Sequence, residues 1–300
     1  PFIHYVVSFK VRFVKIFSMA RRTILTTIGF LLLLVFVFFL GRFSEGEKTE
    51  STKPTPTVSP KPEIKPATSK DELLKRVEDI FAQNPDIEIA VSFLDLKTNE
   101  TFGLNDAEAQ HAASVPKVLT GAYLLKKVQE KEIELSDKLG SYNIEFNLKQ
   151  MINQSNTHAW EKLDDFLGIE PQQEFAQTLG LTSFRMKENV ISPKDAVLLF
   201  KKLYKRELLD ERYTKKLLTY MQNTETENLI TPAIPEKVTF YHKSGLFEGE
   251  VHDVAIVEHP KHPFIFAIFT VNKIRPDYEG RAKLIQKAAT EVYAYFNNLP

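Results

Sequence analysis

Hydrophobic positions along the chain change their period several times, and each change marks a boundary. Residues 23–40 (TILTTIGFLLLLVFVFFL) are uncharged and apolar on every side, without the stripe that a surface helix shows. At ~1.5 Å per residue such a helix spans about 27 Å, close to the ~30 Å of a bilayer's hydrocarbon. The run predicts a membrane anchor. A buried core helix and a cleaved signal peptide are the alternatives, but FFLGRF offers no small-residue cleavage site. Lys10, Arg12, Lys15, Arg21 and Arg22 precede the run, whereas Arg42 is followed by a mixture of Glu45, Glu47, Lys48 and Glu50. The positive-inside rule therefore assigns residues 1–22 to the cytoplasm and everything beyond Gly41 to the outside, with Met19 a candidate start. Residues 41–70 carry Pro54, Pro56, Pro60, Pro62 and Pro66 among Ser, Thr, Lys and Glu, which predicts a semi-extended tether.

From residue 71 the spacing is that of a folded domain. Leu73, Leu74, Val77, Ile80 and Phe81 recur with helical period, and Ser69 or Asp71 can cap that helix. Residues 87–96 and 101–104 read as strands around a KTNE turn. Three more strands are predicted at 238–243, 251–258 and 264–272, and a closing amphipathic helix at 281–296. The middle is helical almost throughout: 118–128, 148–154, 158–167, 171–179, 193–203 and 211–221. Strands at both ends around a helical middle predict an α+β fold over 71–300. Its antiparallel sheet would be flanked by the terminal helices, with an all-helical lobe inserted, and a ligand cleft would lie between the two.

Composition narrows the chemistry. Lys and Arg together number 39, as do Asp and Glu, so no overall field draws nucleic acid to the chain. Cysteine is absent, which removes disulfides, thiolate metal sites and thiol nucleophiles. Any nucleophile must be oxygen or nitrogen. His252, Asp253, His259 and His262 invite a metal reading, but no triad completes it, and no metal or cofactor is expected.

Three short polar motifs carry candidate chemistry. Ser114-Val115-Pro116-Lys117 opens an apolar helix, and a spacing of three stands the Lys117 amine beside the Ser114 hydroxyl. Pro116 is tolerated only in a first turn, where free N–H groups favour a developing anion. A lysine crowded by apolar neighbours loses basicity and can accept the serine proton. Ser155-Asn156-Thr157 interrupts two helical patterns, and Lys243-Ser244-Gly245 follows a strand. Taken singly, these are also an N-cap beside a surface lysine, an interhelix turn and a hairpin turn.

Taken together and in this order, the three motifs resemble the S-x-x-K, S-D-N and K-T-G boxes of class A β-lactamases and penicillin-binding proteins. The similarity extends to TFGLNDAEAQHAASVPKVLTGAYLL, MINQSNTHAWEKL and HKSGLFEGEVHDVAIV, and covers residues 71–300. It implies Ser114 as the acyl-forming nucleophile, Lys117 as its proton acceptor and Ser155 as the proton shuttle to the leaving nitrogen. Lys243 would hold Ser155 and a substrate carboxylate, Ser244 would bond that carboxylate, and the N–H groups of Ser114 and Leu246, the latter just after Gly245, would form an oxyanion hole.

Two departures stand out. Thr157 occupies the place of the substrate-gripping asparagine, and residues 184–195 lack the family's E-x-x-L-N pattern, leaving Glu188, before Asn189, as the nearby carboxylate. The expectation is a membrane-anchored, monomeric, extracytoplasmic β-lactamase working through an acyl-serine. A peptidase or esterase acting on D-alanyl-D-alanine cell-wall peptides and a catalytically silent wall-binding module are the alternatives. The substrate would be a β-lactam or a cell-wall peptide, and no nucleic-acid partner is expected.

Overall fold

A computed structural model describes residues 65–300 apart from Lys273 and Arg275. The expected cytoplasmic segment and anchor, and the tether up to residue 64, lie outside the described residues. Among those described, no helix is long and apolar enough to cross a membrane.

Helix α1 (Lys70–Phe81) begins where Ser69 accepts a hydrogen bond from the Glu72 N–H, and it buries Leu73, Val77 and Phe81 along one stripe. Ala67 is already buried and Arg76 donates to the Lys65 carbonyl, so residues just before the helix also pack against the domain. Strands β1 (Ile87–Asp95) and β2 (Glu100–Leu104) follow. Six helices come next: α2 (Lys117–Gln129), α3 (Ile144–Asn153), α4 (Thr157–Leu167), α5 (Ile169–Thr178), α6 (Pro193–Tyr204) and α7 (Glu211–Tyr220). The chain closes with β3 (Phe240–Phe247), β4 (Glu250–Val257), β5 (Phe264–Asn272) and α8 (Tyr278–Asn298).

The five strands form one antiparallel sheet in the order β2-β1-β5-β4-β3. The first strand pairs with the last along its whole length, from Ile87 opposite Asn272 to Asp95 opposite Phe264. Both faces are apolar, and the strand period of two sorts them. Ala90, Leu94, Val254, Ile256, Ile265, Ala267 and Phe269 pack against the helical lobe. Val91, Phe93, Val251, Ala255, Phe266 and Ile268 pack with α1 and α8. Within the lobe, Gly121 lets α2 approach α3 and α7: a Cβ there would stand 3.2 Å from both Ile152 and Leu217 side chains.

The observed helices match the predicted ones to within a few residues. The difference that matters concerns β3. The pattern ends this strand at Lys243 and reads Lys243-Ser244-Gly245 as a turn, whereas all three lie within the strand and the hairpin turns at Glu248 and Gly249. Polar residues interrupt the apolar alternation here, and the buried Lys243 amine finds polar partners in Ser155 and the Ser244 carbonyl.

Phe93 lies between the rings of Phe102 and Phe266, each 5.0 Å away, and is fully buried. Phe93→Ala is expected to lower stability by about 3–5 kcal/mol, read from the midpoint of a urea unfolding curve.

Candidate active site

The first motif is a tight turn rather than the helix itself. Ala113 is left-handed at φ 48°, its carbonyl held by Asn189 Nδ2 at 3.0 Å, and Lys117 N–H reaches back to Ser114 O at 3.3 Å. Pro116, at φ −65°, leads directly into α2. The turn presents Ser114 while Lys117, on the first helical residue, is wholly buried. Lys117 Nζ donates to Ser114 Oγ at 2.9 Å and to the Ser155 carbonyl at 2.5 Å. The Trp160 ring centre lies 5.1 Å from the same nitrogen.

Ser155 sits between α3 and α4 with a left-handed φ of 51°, and Asn156 caps α4 by accepting from the Ala159 N–H. This kink turns the Ser155 carbonyl to Lys117 and its hydroxyl to Lys243, whose Nζ donates to Ser155 Oγ at 2.8 Å and to Ser244 O at 2.9 Å. Gly245 is what allows the strand so near: a Cβ there would stand 2.8 Å from the Ala112 carbonyl, too close to be accommodated without backbone movement. β3 is the edge strand. The His242 N–H donates outward to Met221 O, so the strand period aims the N–H groups of Ser244 and Leu246 off the same edge. Two hydroxyls and two amines from a turn, an interhelix kink and a sheet edge thus share one chain of hydrogen bonds.

A sequence model of the beta-lactamase enzyme family matches residues 72–296. The chain belongs to that family. Among solved structures it is similar to PBP-A, with 22% identity over 79% of this chain and 100% of that one and a TM-score of 0.70. An ancestral class A beta-lactamase (GNCA) is 16% identical over 75% of this chain and 100% of its own, with a TM-score of 0.70. A beta-lactamase from Sphaerobacter thermophilus DSM 20745 is 20% identical over 76% and 98%, with a TM-score of 0.67. At these identities the likeness is one of fold. No curated protein matches the sequence.

The electrostatics follow from burial. Desolvation lowers Lys117 to about 8 against the pull of Asp164, Glu161 and Glu225. Desolvation, with the positive charge of Lys117 added, pushes Lys243 down to about 7. Near neutral pH each amine is poised between its charged and neutral forms, which suits proton transfer.

The remaining expected site residues are more dispersed. Thr157 is exposed on the first turn of α4. Ser244 is buried opposite Asp253, on the sheet face away from Lys243. Leu246 is 40% exposed next to Phe247. Glu188 is not brought to the group: it is exposed and among the described residues makes no hydrogen bond or ion pair, because its neighbour Asn189 turns the chain at φ 51° and binds Ala113 instead. Among the described residues Lys117 makes no hydrogen bond to any carboxylate. Its open side is covered by Trp160, fixed by an Nε1 bond of 3.0 Å to Thr120 Oγ1, which in turn meets Asp164 Oδ1 at 3.3 Å. Burial raises Asp164 to about 6 despite bonds from Gln172 and Thr120. Trp160, the single tryptophan, stands five residues after Ser155, and only that rarity could have flagged it.

Nor do the four histidine-region residues form one cluster. His252 is buried against Phe269 and contacts the His111 carbonyl, while His259 meets Asn297, and His262 meets Asp95 and the Pro300 carbonyl. Among the described residues no three His, Asp or Glu side chains are grouped to hold a metal ion.

Lys243 binds fewer protons folded than unfolded between pH 7 and its ordinary 10.5, so its destabilising effect is present in full below that window and fades as pH rises through it. Relative to the Lys243→Met variant, wild type should therefore become more stable as pH rises from 7 to 10, by on the order of 3 kcal/mol, as measured by urea unfolding of both proteins at each pH.

Proposed function

We propose that this protein is an acyl-serine hydrolase whose nucleophile is Ser114, acting outside the membrane on a β-lactam or a cell-wall peptide. The observation that carries this is the pair of contacts Lys117 Nζ to Ser114 Oγ, 2.9 Å, and Lys243 Nζ to Ser155 Oγ, 2.8 Å. With Lys117 neutral, its lone pair takes the Ser114 proton as Oγ attacks the carbonyl carbon. The new oxyanion would be met by N–H groups at Ser114 and Leu246. The C–N bond then breaks, and the departing nitrogen takes the proton of Ser155 Oγ, which Lys243 in its ammonium form returns. A positive Lys243 is suited to a substrate carboxylate, and the apolar run 23–40 with its proline-rich tether supports presentation of the domain outside the cell.

The environment of Lys117 favours a long-lived acyl-enzyme. Deacylation needs a base to activate water at the ester, yet among the described residues no carboxylate hydrogen-bonds this lysine, Glu188 is exposed and the Trp160 ring covers one side of the amine. Penicillin-binding behaviour is thus supported over rapid β-lactam turnover. One neighbour of the same fold, a PBP-A variant, was solved as an acyl-enzyme complex with penicillin G.

Mixing the full chain with benzylpenicillin should add one intact penicillin mass, because ring opening expels nothing, and the adduct should outlast many minutes in intact mass spectra. Ser114→Ala should show no adduct, and Lys117→Met should slow its formation by about 10²–10⁴-fold. Steady hydrolysis of a chromogenic cephalosporin would instead support a β-lactamase, and absence of any adduct a silent binding module.

A further inference from the structure

His242 precedes Lys243 and, by strand alternation, lies on the opposite face of β3. Its ring is wholly buried yet meets two carboxylates. Nδ1 lies 3.0 and 3.2 Å from the two Asp253 oxygens, across the diagonal of the β3–β4 pair. Nε2 lies 3.3 Å from Glu227 Oε1 and 3.1 Å from Thr224 Oγ1. A ring facing a carboxylate from each nitrogen is satisfied when both nitrogens carry protons. Desolvation opposes that charge, but Asp253 and then Glu227 outweigh it and raise His242 to about 9. Glu227, despite its own desolvation, is held at about 2, chiefly by His242.

The segment 221–231 wraps this ring. Met221 O accepts the His242 N–H, Thr224 and Glu227 approach Nε2, and Ile230 N–H donates to Asp253 Oδ2 at 3.2 Å. The other edge of the segment is held by Asn153. Its Nδ2 reaches the carbonyls of Tyr220, Gln222 and Asn223 at 3.0–3.2 Å, and its own carbonyl accepts from the Glu225 N–H at 3.0 Å. Asn153 ends α3, two residues before Ser155. One segment is therefore bonded to the strand residue before Lys243 and to the helix end just before Ser155.

We propose that His242 is a positioning residue whose charged ring locks segment 221–231 between β3 and the end of α3, and thereby sets the contact of Lys243 with Ser155. The lock itself rests on these bonds alone; its kinetic consequence rests on the acyl-serine reading above. The groups that face the ring or its partners are Asp253 on β4, Glu227 and Thr224 in the segment, Lys243 on β3 and Tyr278 on α8, whose hydroxyl feels the Asp253 charge. The ring also lies 5.1 Å from that of Phe240, which contributes no charge.

Removing one carboxylate lowers the affinity of the ring for its second proton while burial still opposes the charge, so the charged form is lost as pH rises. In Glu227→Gln the rate constant for acylation by benzylpenicillin, divided by that of wild type, should be near one at pH 6 and fall about tenfold by pH 8.5. His242→Phe should show the same loss at every pH. Amide hydrogen exchange at Glu225 and Ile230 should quicken in Glu227→Gln over the same pH range, and nitrogen-15 spectra of wild type should show a doubly protonated His242 ring at pH 8. A pH-independent ratio with unchanged exchange, or a singly protonated wild-type ring at pH 8, overturns the proposal. If wild type is never acylated, the acyl-serine reading fails, while exchange and ring protonation still decide the lock.

Discussion

Two lysine amines buried around a single serine are the costliest feature of this molecule. Lys117 donates to the Ser155 carbonyl and Lys243 to the Ser155 hydroxyl, so two like charges converge where water is nearly excluded. Such a pair would escape to solvent unless the surrounding structure held it. Its basicities record the cost, about 8 for one amine and about 7 for the other, and those lowered values are what a proton-transferring pair needs near neutral pH.

The fold supplies the constraint through its two cores. Apolar residues on one face of the sheet fuse with the helical lobe, and those on the other fuse with the terminal helices. The edge strand β3 is thereby fixed against the lobe, with Lys243 turned toward the helices and His242 toward α1 and α8. Gly245 permits the close approach of strand and turn, and left-handed Ala113 and Ser155 bend the backbone where a regular helix would carry the hydroxyls away. The strain at such positions is offset by packing elsewhere. The face of Trp160 then closes the environment of Lys117 and offers its ammonium form a cation–π contact worth ~2 kcal/mol when desolvated.

Trp160 and His242 support the two lysines from opposite sides. The Thr120–Trp160 pair fills the side of Lys117 where no carboxylate bonds, and the Asp253–His242–Glu227 group stiffens the strand from behind. Both act on lysine amines without touching Ser114. A carboxylate next to the lysine would stand ready to activate water, whereas an indole face, which has no basic atom, does not.

Periodicity alone determined the order of helices and strands, the division into terminal sheet and inserted lobe, and the pairing of Ser114 with Lys117. These are local or pattern-borne properties: i, i+3 neighbours on a turn meet wherever the turn is placed, and apolar alternation has one stable burial. Contacts that depend on long-range approach were decided by the tertiary structure. Lys243 reaches Ser155 across 88 positions of chain, and Lys243-Ser244-Gly245 belongs to a strand in which the buried Lys243 amine is satisfied by Ser155. Glu188 and Asn189 are adjacent, and which of them reaches the turn that carries Ser114 depends on one left-handed residue that no spacing rule reports. His242, too, is an ordinary strand histidine until folding brings a carboxylate to each ring nitrogen, because charge state is set by neighbours in space and not along the chain.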